Sequence, residues 1–416
     1  MRIGIFTETY EPYVSGLVTS IKMLKNALEK KGHIVYIVTA NLKDYHYNYK
    51  EQERILEIPG IPTGIYDARL TSIYPLQAVN IIKKWNLDVI HSQTEFAIGT
   101  FARLLAKQYN IPIVHTYHTM YEDYVHYITK GHFNKSSKKL VEYLTKFYCD
   151  KTITELIVPT VKAYNLFKEK YNVERNIHIV PTGIEVERFF KENVNKKEVE
   201  ALKKKYHLRR KYFGIIVVGR VAEEKNMPFV MDAVCHLKDK IPNIKLFIIG
   251  DGPDKEKYEQ YVKDIHCEEC IIFTGKVAWD QIPCYYQLGH VYVSASKTET
   301  QGLTVTEAMA GGLPAVVIDD VAFRTLVCDG LNGLFFKDQQ ECEDLLLKLY
   351  QDENLRLQLS RQAVIQSEHC SASQFADNVL LVYKRAIENK NKNKYGFISK
   401  IANKWKEFRD ARRSKS

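Results

Sequence analysis

The chain has 416 residues, 45% hydrophobic and 26% charged, which fits an ordinary soluble globular protein with more than one core. No stretch approaches the roughly 18 uncharged apolar residues that span a bilayer, and the opening MRIGIFTETY reads as a strand, not a signal peptide. The formal charge of +10 is concentrated at the end, where residues 390–416 hold ten Lys/Arg against Glu407 and Asp410, so the body is near neutral.

Continuous apolar runs alternate with helical patterns along the chain. In the first half the runs are 2–6, 33–39, 54–58, 89–92, 112–117 and 177–181. In the second half they are 213–219, 244–250, 271–275, 291–296 and 314–319. Unbroken apolar runs are the mark of parallel strands buried on both faces. A helical pattern such as SIKMLKNALEKKG, stopped by Gly32, lies between strands. The alternation predicts α/β architecture with two Rossmann-like, doubly wound parallel sheets facing across a cleft. The charged, strand-free segment 184–211 separates the two series. The expected organisation is a first domain over 1–183, a linker over 184–211 and a second domain over 212–372. A helix over 373–389 would return to the first domain, and a basic amphipathic tail would fill 390–416.

Eight scattered cysteines predict free thiols and a cytoplasmic protein. Cys267 and Cys270 form a lone CxxC with no further ligands close behind, so no metal is expected.

Ligands of doubly wound sheets sit beyond the carboxyl ends of the strands. There the first strand runs into TETYEPYVSGLVTS, with Gly16 just before a helix, where backbone N–H groups can meet an anion. A plain strand-to-helix turn explains the stretch equally well. It is neither GxGxxG nor a P-loop. After the strand 213–219 come Arg220 and Lys225, a planar fork and a point charge that both suit a diphosphate, or else a surface basic pair. After 271–275, Gly275 and Val277 offer backbone to a base. After 291–296, SKTETQG is a loop and LTVTEAMA a helix ended by Gly311–Gly312. Glu299 then lies before a helix N-terminus and Glu307 inside the helix. The amides of Thr300 to Leu303 are unpaired donors at the positive end of the dipole. Carboxylates bind sugar hydroxyls well, because each oxygen accepts more than one hydrogen bond. One glutamate can hold a transferred sugar and the other a ribose.

Glu299-x7-Glu307, the Arg220/Lys225 pair and Gly16 before the first long helix resemble glycosyltransferase family 4, with the GT-B fold, over roughly residues 1 to 385. The segments 90–99, 115–128 and 296–310 look like those of bacterial 1,2-diacylglycerol 3-glucosyltransferases. The resemblance implies a UDP-glucose donor held by the second domain and a diacylglycerol acceptor on the first, with no cofactor. It implies that Arg220 and Lys225 clamp the diphosphate and that Gly16 lends it an amide. It implies that Glu299 holds the sugar, with Gln301, Gly302 and Leu303 contacting sugar or phosphate. Glu307 would hold the ribose, and His118 would touch the sugar near the reacting centre. The loop reads Ser15-Gly16 where many members have paired glycines. No Asp-x-Asp motif occurs, which agrees with charge stabilisation by Arg220, Lys225 and a helix N-terminus.

The resemblance implies retention of anomeric configuration, and front-face attack is the expected route. In the tail, Phe397, Ile401, Trp405 and Phe408 fall on one helical face among lysines and arginines. That pattern reads as an anchor on an anionic membrane surface, at the cytoplasmic face. A disordered basic tail is the plainer reading, and no nucleic-acid-binding signature accompanies it. Other acceptors (a phosphoinositol lipid, a polyprenyl lipid, a soluble glycan) and a non-catalytic nucleotide-sugar-binding protein are the competing readings.

Overall fold

The computed structural model describes residues 1–391 except 14, 44, 63–68, 119–142, 144, 297, 298 and 300. Thr300 and the tail residues Phe397, Ile401, Trp405 and Phe408 therefore lie outside the described residues, as does most of the aromatic run after His118.

The chain divides into two compact units. Unit 1 comprises Met1–Pro159, Ala163–Val180 and the chain from Ala376 onward; unit 2 comprises Thr160–Lys162 and Pro181–Phe375. Each has its own buried apolar core.

Unit 1 holds an eight-stranded sheet. Its strands are β1 (Arg2–Phe6), β2 (Ile34–Ala40), β3 (Asn48–Lys50), β4 (Ile55–Ile58), β7 (Val89–Ser92), β8 (Ile113–Thr116), β9 (Glu155–Val158) and β10 (Ile177–Ile179). A small antiparallel pair, β5 (Gly60–Pro62) and β6 (Arg69–Thr71), stands apart from it. The sheet order is β10-β9-β8-β7-β1-β2-β4-β3, and every pairing is parallel except β3 with β4. The order reverses between β1 and β7, which places the ligand crevice of unit 1 at their carboxyl ends.

Unit 2 holds six parallel strands: β11 (Phe213–Val218), β12 (Ile244–Ile249), β13 (Ile271–Gly275), β14 (Val291–Ser294), β15 (Ala315–Ile318) and β16 (Gly333–Phe336). Their order, β13-β12-β11-β14-β15-β16, is the doubly wound 3-2-1-4-5-6 arrangement, with its switch point between β11 and β14. The two-sheet α/β architecture and all eleven strands read from the sequence are present.

The strands missed by sequence are instructive. The edge strands β3, β5 and β6 have three residues each, too few for a period to register. β9 opens on a buried carboxylate, Glu155, which breaks the apolar run. Its oxygens accept from His178 at 2.7 Å and Asn389 at 2.6 Å. Burial pushes this carboxyl up, but those hydrogen bonds outweigh it and hold the group below its usual range.

Asn389 belongs to a helix over residues 372–391, whose larger part packs in unit 1. Asp377 pairs with Lys31 at 2.9 Å, and the Tyr383 hydroxyl meets His91 Nδ1 at 2.7 Å in the core. No helix among the described residues is long and apolar enough to cross a membrane.

Candidate active site

In unit 2 the residues singled out from sequence gather at the carboxyl ends of β11 and β14. Arg220 follows β11, is exposed and has no partner among the described residues. Lys225 closes a short turn, Glu223–Lys225, before the helix Met227–Leu237. From there its ammonium donates to Glu299 Oε1, on the loop after β14. The same two loops are stitched by Ser296 Oγ, which donates to Glu224 O at 3.2 Å. Backbone packing at this end leaves no room for side chains: a Cβ on Gly250, after β12, would stand 1.9 Å from Gly219 O.

The loop after β14 ends at Gly302, whose φ of 70° lies in the left-handed region. That turn starts the helix Leu303–Ala310 without a capping side chain. The backbone N–H groups of Gln301, Gly302 and Leu303 have no acceptor among the described residues, so the helix start is open to an anion. The Gln301 side chain is committed elsewhere. It accepts from Thr182 N at 2.9 Å and donates to Thr182 O at 2.7 Å, so only its backbone is left to offer.

Glu307 sits one turn into that helix and is buried. Its Oε2 accepts from the Tyr286 hydroxyl at 2.8 Å, and Tyr286 also lies 3.2 Å from Thr304 O. Burial pushes the Glu307 carboxyl up to about 7; the Tyr286 hydrogen bond and the Arg188 charge oppose that rise. Val277 is half-buried in the stretch following β13. A cavity of about 1120 Å³ opens at the other end of this sheet, beside Tyr212, His290 and Leu313, and touches none of these groups.

In unit 1 the helix Gly16–Lys30 begins at Gly16, with Ser15 as its cap: Ser15 Oγ accepts from Val18 N at 3.3 Å. Nothing lies within 4 Å of where a Gly16 Cβ would stand, so the approach to this helix start is open. His118 follows β8, and its Nε2 lies 2.6 Å from Gln93 Oε1, after β7. Burial, with His115 nearby, pushes His118 down to about 4, so the ring is neutral at physiological pH.

Sequence reasoning passed over Glu8, directly beyond β1. Its Oε1 accepts from Ile98 N at 2.7 Å and its Oε2 from the Thr94 hydroxyl. It thereby caps the helix Ala97–Gln108, whose own preceding residue offers no capping side chain. Burial pushes its carboxyl up to about 7. Below it, donor atoms of buried Glu95, His115 and Cys149 lie within 4.8 Å of one another. Glu95 and His115 already pair at 3.0 Å, and the buried Arg103 adds its charge to the group, which disfavours a further cation there.

Two family models match the chain: "Glycosyltransferase Family 4" over residues 14–188 and "Glycosyl transferases group 1" over 198–365. The alpha-monoglucosyldiacylglycerol synthase of Acholeplasma laidlawii is 35% identical over 94% of this chain and 99% of its own. The chain belongs to glycosyltransferase family 4. The alpha-monoglucosyldiacylglycerol synthase of Streptococcus pneumoniae is 34% identical over 84% of this chain and 78% of its own. Among solved structures, Anabaena HepE in complex with UDP superposes with a TM-score of 0.71 at 15% identity. That match covers 92% of this chain and all of HepE, and it speaks for the GT-B fold alone. This family 4 member is a glycosyltransferase akin to glycolipid synthases.

Proposed function

We propose that the chain moves glucose from UDP-glucose to the 3-hydroxyl of 1,2-diacylglycerol, with retention, at the cytoplasmic face of the membrane. The observation that carries this reading is the near full-length match to a protein whose name specifies a glucosyl group on diacylglycerol. In support, unit 2 gathers two cations, an open helix start and two carboxylates at one switch point.

In this proposal Arg220 and Lys225 hold the diphosphate, with the amides of Gln301, Gly302 and Leu303 and that of Gly16 as further donors. Thr300 belongs to the same loop. Glu299 takes sugar hydroxyls, Glu307 the ribose, and Val277 lends backbone to the base. His118, neutral, meets the sugar. The acceptor hydroxyl attacks from the leaving-group face. The bond from the anomeric carbon to the phosphate oxygen breaks as the new C–O bond forms, and that phosphate oxygen takes the hydroxyl proton. UDP leaves. Catalysis is positioning and charge stabilisation. The tail residues Phe397, Ile401, Trp405 and Phe408 anchor the protein to anionic lipid.

The test is UDP release from UDP-glucose with and without diacylglycerol micelles, the product read by mass spectrometry and its anomeric configuration by NMR. Release that depends on diacylglycerol and yields an α-glucoside is expected. Release only with a phosphoinositol lipid, a polyprenyl lipid or a soluble glycan overturns the acceptor, and a covalent glucosyl group trapped on Glu299 overturns front-face attack.

A further inference from the structure

Three adjacent strands of unit 2 finish on glycine at their carboxyl ends: Gly219 after β11, Gly250 after β12 and Gly275 as the last residue of β13. Gly250 packs against Gly219 with no room for a Cβ and bridges to Gly275, so the strand ends form one floor of bare backbone. Such a floor lets a flat ligand approach closely. Two lysines reach over it. Lys225 Cε lies 3.7 Å from where a Gly219 Cβ would stand, and Lys255 Nζ lies 3.8 Å from where a Gly275 Cβ would stand. The Lys225 ammonium is engaged by Glu299. Lys255 opens the helix Lys255–Asp264, and its one partner among the described residues is Glu259 Oε1 at 3.7 Å, beyond hydrogen-bond length. A side chain only 29% exposed thus holds an ammonium over the end of β13 with its donors uncommitted.

We infer that Lys255 determines nucleobase specificity by donating to a ring carbonyl of the base. The inference rests on the nucleotide-sugar reading above, which sets the base on the backbone of Val277. Val277 is at most about 7 Å along the chain from Gly275, so a base resting there is a neighbour of the Lys255 ammonium. The diphosphate is held elsewhere. Its proposed cations follow β11, and β13 stands two strands away from β11, about 10 Å at the usual strand spacing. Lys255 therefore meets the end of the nucleotide opposite to the one that Lys225 meets. An ammonium has three donors and no acceptor. On the edge away from the sugar, uracil and guanine present a carbonyl oxygen, whereas cytosine and adenine present an amino group. The carbonyl completes a charge-assisted hydrogen bond, and the amino group sets donor against donor.

The experiment uses the full-length protein with UDP and CDP as probes, because the two share a ring size and differ at the edge in question. Calorimetry measures both with wild type and with Lys255→Met, which keeps an unbranched apolar side chain and removes the charge. Wild type should bind UDP about 10- to 100-fold tighter than CDP. In Lys255→Met, UDP should lose most of that advantage while CDP binds as before or better. Pyrophosphate, which has no base, should bind the two proteins alike. The Lys255–Glu259 pair is loose and partly exposed, so the variant should keep the wild-type Tm. Equal affinity of wild type for UDP and CDP overturns the inference without recourse to a variant. A preference for UDP that survives in Lys255→Met overturns it too. So does an equal loss for UDP, CDP and pyrophosphate, which marks Lys255 as a general attractor of the diphosphate. Transfer to no lipid at all removes the proposed acceptor and leaves these ratios readable. Binding of no nucleoside diphosphate removes the nucleotide-sugar reading itself, and the inference with it.

Discussion

Lys225 and Glu299, 74 residues apart in sequence, are hydrogen-bonded to each other across the β11–β14 switch point. The cation proposed for the diphosphate and the carboxylate proposed for the sugar form an ion pair. A donor must therefore share or break this pair, and its two members respond differently to removal.

Glu299→Gln is expected to free Lys225. UDP should bind as well as to wild type or more tightly, while turnover falls by about 100-fold or more. Lys225→Ala should weaken UDP binding and turnover together. Calorimetry with UDP alongside the UDP-release assay separates the two; equal loss of UDP affinity in both variants contradicts the division of labour.

Tyr286→Phe removes the one side-chain hydrogen bond that the buried Glu307 carboxylate accepts among the described residues. Its pKa, already about 7, should climb further. Only the ionised carboxylate accepts at both oxygens, so UDP affinity at pH 7 should drop several-fold and recover toward pH 8.5. A calorimetric pH series checks this, and a parallel offset at every pH counts against it.

Gln301→Ala removes the two buried hydrogen bonds that its side chain makes with Thr182 N–H and C=O. The expected loss is about 1–3 kcal/mol of stability, each lost hydrogen bond contributing about 0.5–1.5 kcal/mol. Urea unfolding measures it; a loss below about 1 kcal/mol would mean that water replaces both bonds.

Glu8 supplies a stability-against-pH test. Its carboxyl keeps its proton up to about pH 7 in the fold, against an ordinary value of 4.5. The folded state therefore binds the proton more tightly than the unfolded chain. The group's contribution is full below about 4.5, declines as pH rises, and is lost above 7, a swing of about 3 kcal/mol. Glu8→Gln has no such swing. Relative to wild type it should gain stability between pH 5 and pH 8 in urea unfolding; the same difference at both pH values refutes the raised pKa.

Deleting residues 392–416 is expected to weaken binding to phosphatidylglycerol vesicles and lower activity on lipid acceptor while leaving UDP affinity unchanged. Vesicle binding unaltered at low salt removes the anchor role.

Much of this was legible in the sequence because parallel strands are written as unbroken apolar runs, and because their carboxyl ends are known ligand positions. Arg220, Lys225, Glu299 and Glu307 could be placed by that rule. What tunes them could not. Tyr286 reaches Glu307 from 21 residues away, Gln301 spends its side chain on Thr182 at a distance of 119 residues, and Lys225 meets Glu299 directly. Such partners are set by packing of elements distant in the chain, and no local period announces them. Glu8 was missed for a related reason: a helix capped from another strand carries no capping signal of its own.

Unit 1 takes residues from both sides of unit 2, and nearly all of unit 2 is one uninterrupted stretch, Pro181–Phe375. In genetic terms unit 2 is an insertion, and unit 1 is a split module closed by the helix 372–391. A stop codon placed after unit 2 would strip Tyr383 from His91 Nδ1 and Asn389 from Glu155, each of which then keeps only its partners on neighbouring strands. The six-stranded sheet is thus the portable part of this chain. A nonsense mutation between Phe375 and Tyr383 therefore damages unit 1, although it falls after the last residue of unit 2.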